Sequence, residues 1–172
     1  MEKHELNKLV AMLKRGDMSV FDDIYHETKK GVYFTILSIL KNQQVSEDVM
    51  QEVYIKALHN IHNFDNRNFN AWIIKIARNM AINEYNRNKK SFSVDQSESD
   101  YLFVTKSDSD EQLLLNDMMR FLKENESEVV LMHVIGNLTH KEIARILEKP
   151  IGTILWLYNQ AMKKLRNKLE VR

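Results

Sequence analysis

The sequence predicts an all-α protein made of two small helical domains joined by an acidic linker. Turn-forming residues are scarce, with four Gly and one Pro among 172 residues, whereas a protein built from sheets needs a turn every few residues. Apolar residues recur at helical spacing along most of the chain, and no stretch alternates at period two for long enough to form a strand. Only residues 88–110, rich in Ser and Asp, lose that spacing. We therefore place the domains at residues 1–90 and 111–172, with the linker at residues 91–110.

Four helices are predicted in the first domain. The N-terminal helix carries apolar residues at positions 6, 9, 10 and 13 on one face and ends at Gly16. Ser46 is a suitable N-cap for the third helix. Before the fourth helix, the Asn-rich segment HNFDNRNFN has no helical period and is predicted to be a loop that exposes Phe64 and Phe69. After the N-terminal helix, the predicted helices are Met18–Leu40, Glu47–Ile61 and Ala71–Arg87, and the loop is His62–Asn70.

Three or four more helices are predicted in the second domain, and two of them form a DNA-binding pattern. Thr139 and Glu142 have the spacing of a capping box, Pro150 and Gly152 mark a tight turn, and Gly136 is a suitable C-cap for the preceding helix. Two helices around such a turn, the second with a basic tail, predict a helix-turn-helix, whose second helix usually lies in a DNA major groove. The predicted helices are Glu111–Leu122, Ser127–Ile135, Thr139–Glu148 and Gly152–Leu169.

Composition excludes several classes of protein. Because the chain has no cysteine, it has no disulfide and no thiolate metal site. Its apolar runs fall short of the roughly 18 residues of a membrane span, and its charged N terminus lacks an apolar signal segment, so we expect a cytoplasmic protein without membrane insertion. Two His pairs, His59 with His62 and His133 with His140, lack a carboxylate at metal-ligand spacing and are expected to be isolated surface residues. We expect no metal, no cofactor, no catalytic residue and no enzymatic activity.

A net charge of only +1 conceals an uneven distribution of charge. Residues 71–90 carry five basic residues and one acidic residue (+4), and residues 137–172 carry eight basic and three acidic residues (+5). Between them, residues 91–117 carry one basic and seven acidic residues (−6). Two basic blocks on either side of an acidic connector agree with a nucleic-acid-binding protein. Ordinary unevenness in a charged chain is the alternative.

Five short motifs occur across the two domains. The first domain contains SEDVMQEVY at Ser46–Tyr54 and AWIIKIARNMAINEYNR at Ala71–Arg87, and the second contains LTHKEIARIL, PIGT and AMKKLR. In this order and at this spacing, the motifs resemble bacterial extracytoplasmic-function sigma factors, small sigma factors of RNA polymerase that keep only the region-2 and region-4 domains. The resemblance covers roughly residues 18–90 and 111–169. It implies a subunit that directs core RNA polymerase to promoters and initiates transcription by reading and melting the minus-10 element.

The resemblance implies that the third helix docks on the clamp helices of the polymerase through Asp48, Gln51 and Glu52. Val49 and Val53 take the buried face of this helix, which leaves the three polar residues on the outer face. An acidic outer face pairs well with Arg or Lys of a partner, and a merely solvated helix face is the alternative. Region 4 is then expected to contact the polymerase flap, and the acidic linker is expected to thread through the polymerase.

The predicted loop and the helix behind it are implied to recognise the minus-10 element. Capture of flipped bases needs polar groups for the base edges and aromatic rings for stacking, and a basic strip on a helix follows phosphates. As alternatives, one of the two Phe rings holds the loop on the core, and Trp72 is a core residue. The candidate residues are Asn63, Phe64, Arg67, Asn68, Trp72, Lys75, Arg78, Asn79 and Arg87.

The predicted second helix of the helix-turn-helix departs from the family pattern. Relatives carry basic and polar residues after the Gly-Thr pair, whereas this chain carries Leu155, Trp156 and Leu157. Three interpretations stay open. The helix reads an A/T-rich minus-35 element, since Asn and Gln recognise adenine; it binds a protein, such as an anti-sigma factor or a dimer partner, because contiguous exposed apolar residues mark interfaces; or it is more buried than expected. The minus-35 candidates are Lys141, Arg145, Thr153, Leu155, Trp156, Asn159, Gln160 and Lys163.

Two rival functions remain at this point. The first is a sigma-like regulator that binds a protein through its apolar helix and no longer reads promoter sequence. The second is a stand-alone helix-turn-helix regulator, which binds duplex DNA without polymerase. A sigma factor is expected to need core enzyme for tight and specific promoter binding.

Overall fold

The fold is all-α throughout the part of the chain that the structure describes. This computed structural model describes residues 3–91 and 120–170. Within them, seven α-helices and two short 3-10 helices occur without any strand, which confirms the predicted fold class. The predicted linker beyond residue 91 and most of the predicted helix Glu111–Leu122 lie outside the described residues. The α-helices are α1 (Lys3–Lys14), α2 (Phe21–Leu40), α3 (Gln43–His59), α4 (Phe69–Ser91), α5 (Glu124–Val134), α6 (His140–Leu147) and α7 (Ile151–Glu170), and the 3-10 helices are Met18–Val20 and Ile61–Asn63.

Helices α1 to α4 form the first bundle around one apolar core. Each helix contributes side chains that are almost completely buried, among them Val10 of α1, Ile24 and Ile36 of α2, Val53 of α3 and Ile73 of α4. Burial of each such side chain stabilises the fold by about 1.5–3 kcal/mol. The apolar spacing in the sequence therefore identified the inward faces of α1 and α3 correctly.

The start of α3 differs from the prediction. The helix begins at Gln43, and Asn42 caps it by accepting a hydrogen bond from the N–H of Val45 at 3.0 Å. Ser46, predicted to be the cap, lies inside the helix, where it is buried and donates its hydroxyl to the carbonyl of Asn42 at 2.6 Å. Asn and Ser are comparable caps. Asn42 serves as the cap, whereas the small side chain of Ser46 fits the buried interior and lies within the helix.

Helices α5 to α7 form the second bundle and contain the helix-turn-helix. The predicted capping box is confirmed, because Thr139 Oγ1 accepts from the N–H of Glu142 at 3.3 Å and Glu142 Oε2 accepts from the N–H of Thr139 at 2.9 Å. Helix α6 ends at Leu147, and its C-cap Glu148 adopts a left-handed conformation with φ of 53°. The carbonyl of Pro150 then accepts from the N–H of Thr153 at 3.0 Å and opens α7.

The C-terminal end of α5 uses its glycine for packing rather than for backbone freedom. The N–H of Gly136 bonds to the carbonyl of Leu131 at 3.0 Å, but the left-handed residue is Asn137, with φ of 53°. A Cβ placed on Gly136 would lie 2.7 Å from Ile74 Cδ1 of α4. The predicted C-cap thus sits beside the helix end mainly because a larger residue would not fit there.

The two bundles pack directly against each other. Ile74 of α4 is buried in the same apolar cluster as Val129 and Met132 of α5. On the neighbouring helix α2, Phe34 and Leu37 contact Leu131. The contact places α4 and the loop before it beside α6, the first helix of the helix-turn-helix.

Candidate functional site

The outer face of α3 is acidic and exposed, as the sequence predicted. Asp48, Gln51 and Glu52 are all exposed, while Val49 on the opposite side is buried. The structure adds Ile55, which is exposed and follows Gln51 by four residues, the spacing of neighbours on one helix face. An acidic helix face with one exposed apolar side chain is suited to a partner surface that is basic around an apolar contact.

The loop between α3 and α4 is held in place by α1. Lys14 Nζ donates to the carbonyl of Phe64 at 2.8 Å and to Asn66 Oδ1 at 3.1 Å. Asn7 Nδ2 donates to the carbonyl of Arg67 at 3.0 Å. Sequence patterns could not predict these contacts, because they join residues 50 to 60 positions apart.

Phe64 and Phe69 are not exposed, which corrects the prediction for the loop. Each is only 2% exposed, and their rings meet edge to face with centroids 5.5 Å apart. Trp72, which is partly buried, packs on both rings at 5.5 and 5.6 Å. Three aromatic rings close this end of the first bundle, so Phe64 presents no free face to a base here. The polar residues of the loop, Asn63 and Arg67, are exposed as predicted.

Asn68 occupies the junction between the loop and α4. It is 7% exposed, and its carbonyl accepts the N–H of Trp72 at 3.1 Å in the first turn of the helix. Its side-chain Nδ2 donates to Glu142 Oε1 of α6 at 2.6 Å. A predicted base-contacting amide is therefore bonded to the second bundle.

The predicted basic strip on α4 is partly exposed and partly engaged. Lys75 and Asn79 are exposed. Arg87 is exposed and pairs with Glu84 on its own helix at 2.6 Å. Arg78 is partly buried, and its Nε donates to Glu128 Oε1 of α5 at 2.6 Å. The structure thus separates an open part of the strip from Arg78, which the second bundle holds.

The outward face of α7 is open and has an apolar centre. Leu155 is 41% and Trp156 is 60% exposed, and Ile151, which the prediction missed, extends the apolar surface one turn earlier. Exposed polar and basic candidates surround this centre, whereas Gln160 is half-buried. The exposed candidates are Lys141, Arg145, Thr153, Asn159 and Lys163.

Leu157 is buried, so the exposed apolar surface that one of the three interpretations offered to a protein partner includes Leu155 and Trp156 but not Leu157. It is 3% exposed and packs in the apolar cluster of the second bundle with Ile154. Its position, three residues after Ile154 and four before Ala161, is that of a residue on the inward stripe. The spacing in the sequence therefore contained the signal.

His133 and His140 are neighbours, which contradicts the prediction of isolated surface residues. Their rings stack with centroids 4.4 Å apart, and Tyr158 of α7 meets both rings edge-on. Burial, followed by the charge of His133, lowers the pKa of His140 below 6.5. Within residues 3–91 and 120–170, no group of three or more His, Cys, Asp or Glu residues has an arrangement that could hold a metal ion.

A buried ion pair lies between α5 and α7 in the second bundle. Glu126 accepts bonds from Lys164 Nζ at 2.7 and 2.8 Å and from the backbone N–H of Lys123 at 2.9 Å. Burial by itself raises the pKa of this carboxyl, but the bonds from Lys164 and Lys123 outweigh it and hold the pKa below 4.5. The pair fixes the first turn of α5 against α7.

Among the described helices, none combines the length and apolar content that a membrane span requires.

Two family models match the chain, one in each bundle. The model described as sigma-70 region 2 matches residues 11–91, and the model described as sigma-70, region 4 matches residues 112–165. The curated relatives include the ECF RNA polymerase sigma factors SigW and SigM of Bacillus subtilis, each 26% identical. The SigW alignment covers 95% of this chain and 96% of the relative, and the SigM alignment covers 86% and 95%.

Solved structures share the fold. A structure of CnrH in complex with the cytosolic domain of CnrY has a TM-score of 0.66 at 19% identity and covers 96% of this chain and 97% of that one. The sigma factor RpoE, in complex with the anti-sigma factor NepR from Bartonella quintana, also has a TM-score of 0.66 at 19% identity and covers 88% of this chain and 97% of that one.

Proposed function

The chain belongs to the sigma-70 family, in the extracytoplasmic-function group of RNA polymerase sigma factors, and from this premise we propose how its surfaces divide the work. It directs core RNA polymerase to promoters and initiates transcription by reading and melting the minus-10 element. The observation that carries this function is the match to region 2 followed by region 4 across both bundles.

Several broader properties follow from that function. Catalysis of RNA synthesis belongs to the polymerase, so the chain itself is not an enzyme and works in the cytoplasm, where the polymerase is. The region-2 domain spans residues 1–90, the acidic linker spans residues 91–110 and the region-4 domain spans residues 111–172. These limits agree with the two family matches at 11–91 and 112–165.

The exposed face of α3 docks on the clamp helices of the polymerase. Asp48 and Glu52 supply the negative charge, Gln51 supplies hydrogen bonds, and Ile55 adds an apolar contact beside them. The exposure of all four side chains supports this assignment, because a docking face must be free of the core. Opposite charges across such an interface steer the encounter and fix its register.

The loop before α4 and the exposed strip on α4 contact the minus-10 element. Asn63 and Arg67 face solvent and offer hydrogen bonds to bases, while Lys75 and Asn79 are placed to contact phosphates. The aromatic trio beneath the loop supports it from the core side. Because phosphate contacts release counterions, promoter affinity falls as the salt concentration rises.

The helix-turn-helix contacts the minus-35 element with α7 in the major groove. Lys141, Arg145 and Lys163 are exposed around the apolar centre and suit the phosphates. Leu155 is exposed at a position from which it can meet a thymine methyl, and Asn159 can recognise adenine. We assign α7 a preference for A/T-rich sequence, and we assign contact with the polymerase flap to the same domain.

A protein partner for α7 is the second candidate, and a specific observation favours it. Ile151, Leu155 and Trp156 form a run of exposed apolar side chains one helical turn long, a feature typical of interfaces. An anti-sigma factor is a partner of matching chemistry, and one similar solved structure holds such a complex: the sigma factor RpoE is bound to the anti-sigma factor NepR.

Run-off transcription with purified core polymerase and a promoter library tests the function. The wild-type chain is expected to give polymerase-dependent transcripts from a defined set of promoters. The double variant Asp48→Lys, Glu52→Lys reverses the charge of the docking face and is expected to reduce transcription by about 100-fold or more, since like-charge contacts cost several kcal/mol. The matched control is Glu5→Lys, Asp23→Lys, which changes the same charge at exposed positions of α1 and α2.

Two results would contradict the proposal. If the docking and control variants lose activity equally, the acidic face of α3 has no special role. If the wild-type chain binds promoter duplex tightly without polymerase and yields no transcript with it, the chain acts as a stand-alone regulator instead.

A further inference from the structure

The outward face of α7 carries two large apolar side chains that the core of the second bundle does not use. Ile154 and Leu157 occupy the inward face and are almost completely buried, whereas Leu155 and Trp156 between them are 41% and 60% exposed. Burial within the fold therefore gives no reason for an apolar residue at either exposed position. Adjacent exposed apolar side chains are typical of a surface that binds another molecule.

The N-terminal half of α7 has no charged side chain with which to read a base. Residues 151–162 have the sequence IGTILWLYNQAM, and the first basic residue of the helix is Lys163. The usual reader of guanine is a bidentate Arg or Lys, and the N-terminal part of a recognition helix is the part that meets the base edges. Thr153 and Asn159 are the exposed hydrogen-bonding residues there. Recognition by this end of α7 therefore depends largely on apolar contacts.

Gly152 leaves room for close approach beside Trp156. It lies four residues before Trp156, so the two residues are neighbours on one helix face, and a Cβ at Gly152 would meet no atom within 4 Å. Side chains on a helix lean toward its N terminus, so the open space beside Gly152 is on the side to which Trp156 leans. Glycine weakens a helix, but it allows a ligand to come close to the backbone.

Basic side chains surround this apolar surface. Lys141 and Arg145 of α6 and Lys163 of α7 are exposed around it, and the turn adds one exposed acidic residue, Glu148. Such a basic surface repels a second copy of itself. It fits a polyanion that displays apolar groups between its charges. The major groove of duplex DNA has this character, because each thymine places its C5-methyl group there between two rows of phosphates.

We propose that Leu155 and Trp156 make α7 a reader of C5-methyl groups in the major groove. The two side chains contact thymine methyl groups of the minus-35 element, and they accept 5-methylcytosine better than cytosine at the same positions. Methylation of a cytosine in this element therefore strengthens promoter binding. The inference deepens the proposed contact of α7 with the minus-35 element and rests on it.

Four forms of one base pair test the readout of methyl groups. A promoter selected in the run-off experiment carries thymine, uracil, cytosine or 5-methylcytosine at one position of its minus-35 element at a time. Uracil lacks only the methyl group of thymine, and 5-methylcytosine adds only a methyl group to cytosine. The affinity of the wild-type chain with core polymerase is measured by competition at one salt concentration. At a contacted position, the methylated base of each pair is expected to bind about three- to fourfold more tightly, the factor for burial of one such group.

Two variants assign the methyl contact to its side chains. Leu155→Ala and Trp156→Ala are each expected to reduce the preference for the methylated base to less than about twofold at the positions that they contact. Both side chains are exposed, so the variants are expected to keep their stability, which thermal unfolding checks.

Two further variants are controls for these measurements. Asn159→Ala removes a hydrogen-bonding group and is expected to weaken binding without changing the preference for methylated bases. Val134→Ala truncates an apolar residue of α5 that is 61% exposed, and it is expected to change neither affinity nor preference.

The outcomes separate this inference from the proposed function. Equal affinity for the methylated and unmethylated base of both pairs at every position overturns the inference, whereas promoter-dependent transcription in the same preparation leaves the function intact. A preference that persists in both the Leu155 and the Trp156 variant also overturns the inference. If these variants lose only the binding of an anti-sigma factor, the surface belongs to a protein partner and the inference is wrong. If the wild-type chain with core polymerase neither binds promoters specifically nor yields transcripts, the proposed function fails and the inference fails with it.

Discussion

The residues of α4 that are assigned to DNA differ in character from the outward face of α7. Those on α4 and in the loop before it are mostly charged or polar, and two of them bond to the second bundle. The outward face of α7 is open to solvent and apolar at its centre. Asn68 and Arg78 have protein acceptors at 2.6 Å. Trp156 of α7 is 60% exposed, whereas Trp72, the tryptophan of α4, is partly buried.

The two surfaces differ in how their side chains are accommodated in the free protein. A donor can be satisfied internally by a carboxylate until a better acceptor displaces it. An exposed apolar surface gains stability only when an outside molecule covers it. Asn68 and Arg78 are therefore already bonded within the protein, whereas the exposed apolar side chains of α7 remain open to solvent.

The largest expected effect comes from two adjacent residues of α4. Ile73 lies in the core of the first bundle, and Ile74 lies in the cluster of the second bundle. Ile73→Ala is expected to lower the free energy of unfolding of the first bundle by about 2–5 kcal/mol, because it leaves a cavity in the core. Ile74→Ala is expected to loosen the contact between bundles and leave protection of α1 to α3 unchanged. Hydrogen exchange, resolved by helix, distinguishes the two.

Equal loss of protection in both variants would remove the distinction between core and contact on α4. In that case the two bundles unfold as one cooperative unit, and Ile74 contributes to the same core as Ile73.

The two tryptophans of the chain lie in opposite environments, and their substitution is expected to have the next largest effects. Trp72 packs on Phe64 and Phe69, so Trp72→Ala is expected to destabilise the first bundle by about 2–4 kcal/mol. Trp156→Ala is expected to change stability by less than about 0.5 kcal/mol, as exposed substitutions do. It is expected to weaken either promoter binding or anti-sigma binding by about tenfold. Chemical denaturation, gel-shift and pull-down measurements check the three statements, and a Trp156 variant with all three unchanged would leave its exposure without a role.

Acid is expected to affect the second bundle more than the first. The pKa of His140 is lowered by burial and by His133, so the folded state disfavours its proton and stability declines as the pH falls below 6.5. The pKa of Glu126 is lowered by Lys164 against its burial, so its contribution is present above pH 4.5 and is lost as the pH falls through the lower folded value. His140→Gln is expected to remove the first decline only. Thermal unfolding between pH 8 and about pH 2 measures both, and a His140 variant with an unchanged profile would contradict the assignment.

The sequence predicted the helices well and the partners of side chains poorly. The apolar spacing of α3 and the capping box of Thr139 and Glu142 are local, and both are present in the structure. The start of α3 was misplaced because Asn42 and Ser46 are equivalent as caps in isolation. Only the burial of Ser46 decides between them, and burial depends on residues far along the chain.

In the candidate site as well, local features were predictable from the sequence and long-range contacts were not. The exposure of Asp48, Gln51 and Glu52 follows from the helical period and was predictable. The burial of Phe64 and the contact of Asn68 with Glu142 depend on packing between elements that are distant in sequence. Leu157 is the exception, since its position on the inward stripe was visible in the spacing.

The ammonium group of Lys14 bridges the carbonyl of Phe64 and the amide of Asn66, and so ties the first helix to a loop fifty residues away. A shortened form of the protein that starts after Lys14 would keep every side chain assigned to the minus-10 element. It would lack the two hydrogen bonds from Lys14 that hold the loop between α3 and α4 in place. Under the proposed function, the N-terminal helix supports promoter recognition although none of its own residues is assigned to DNA.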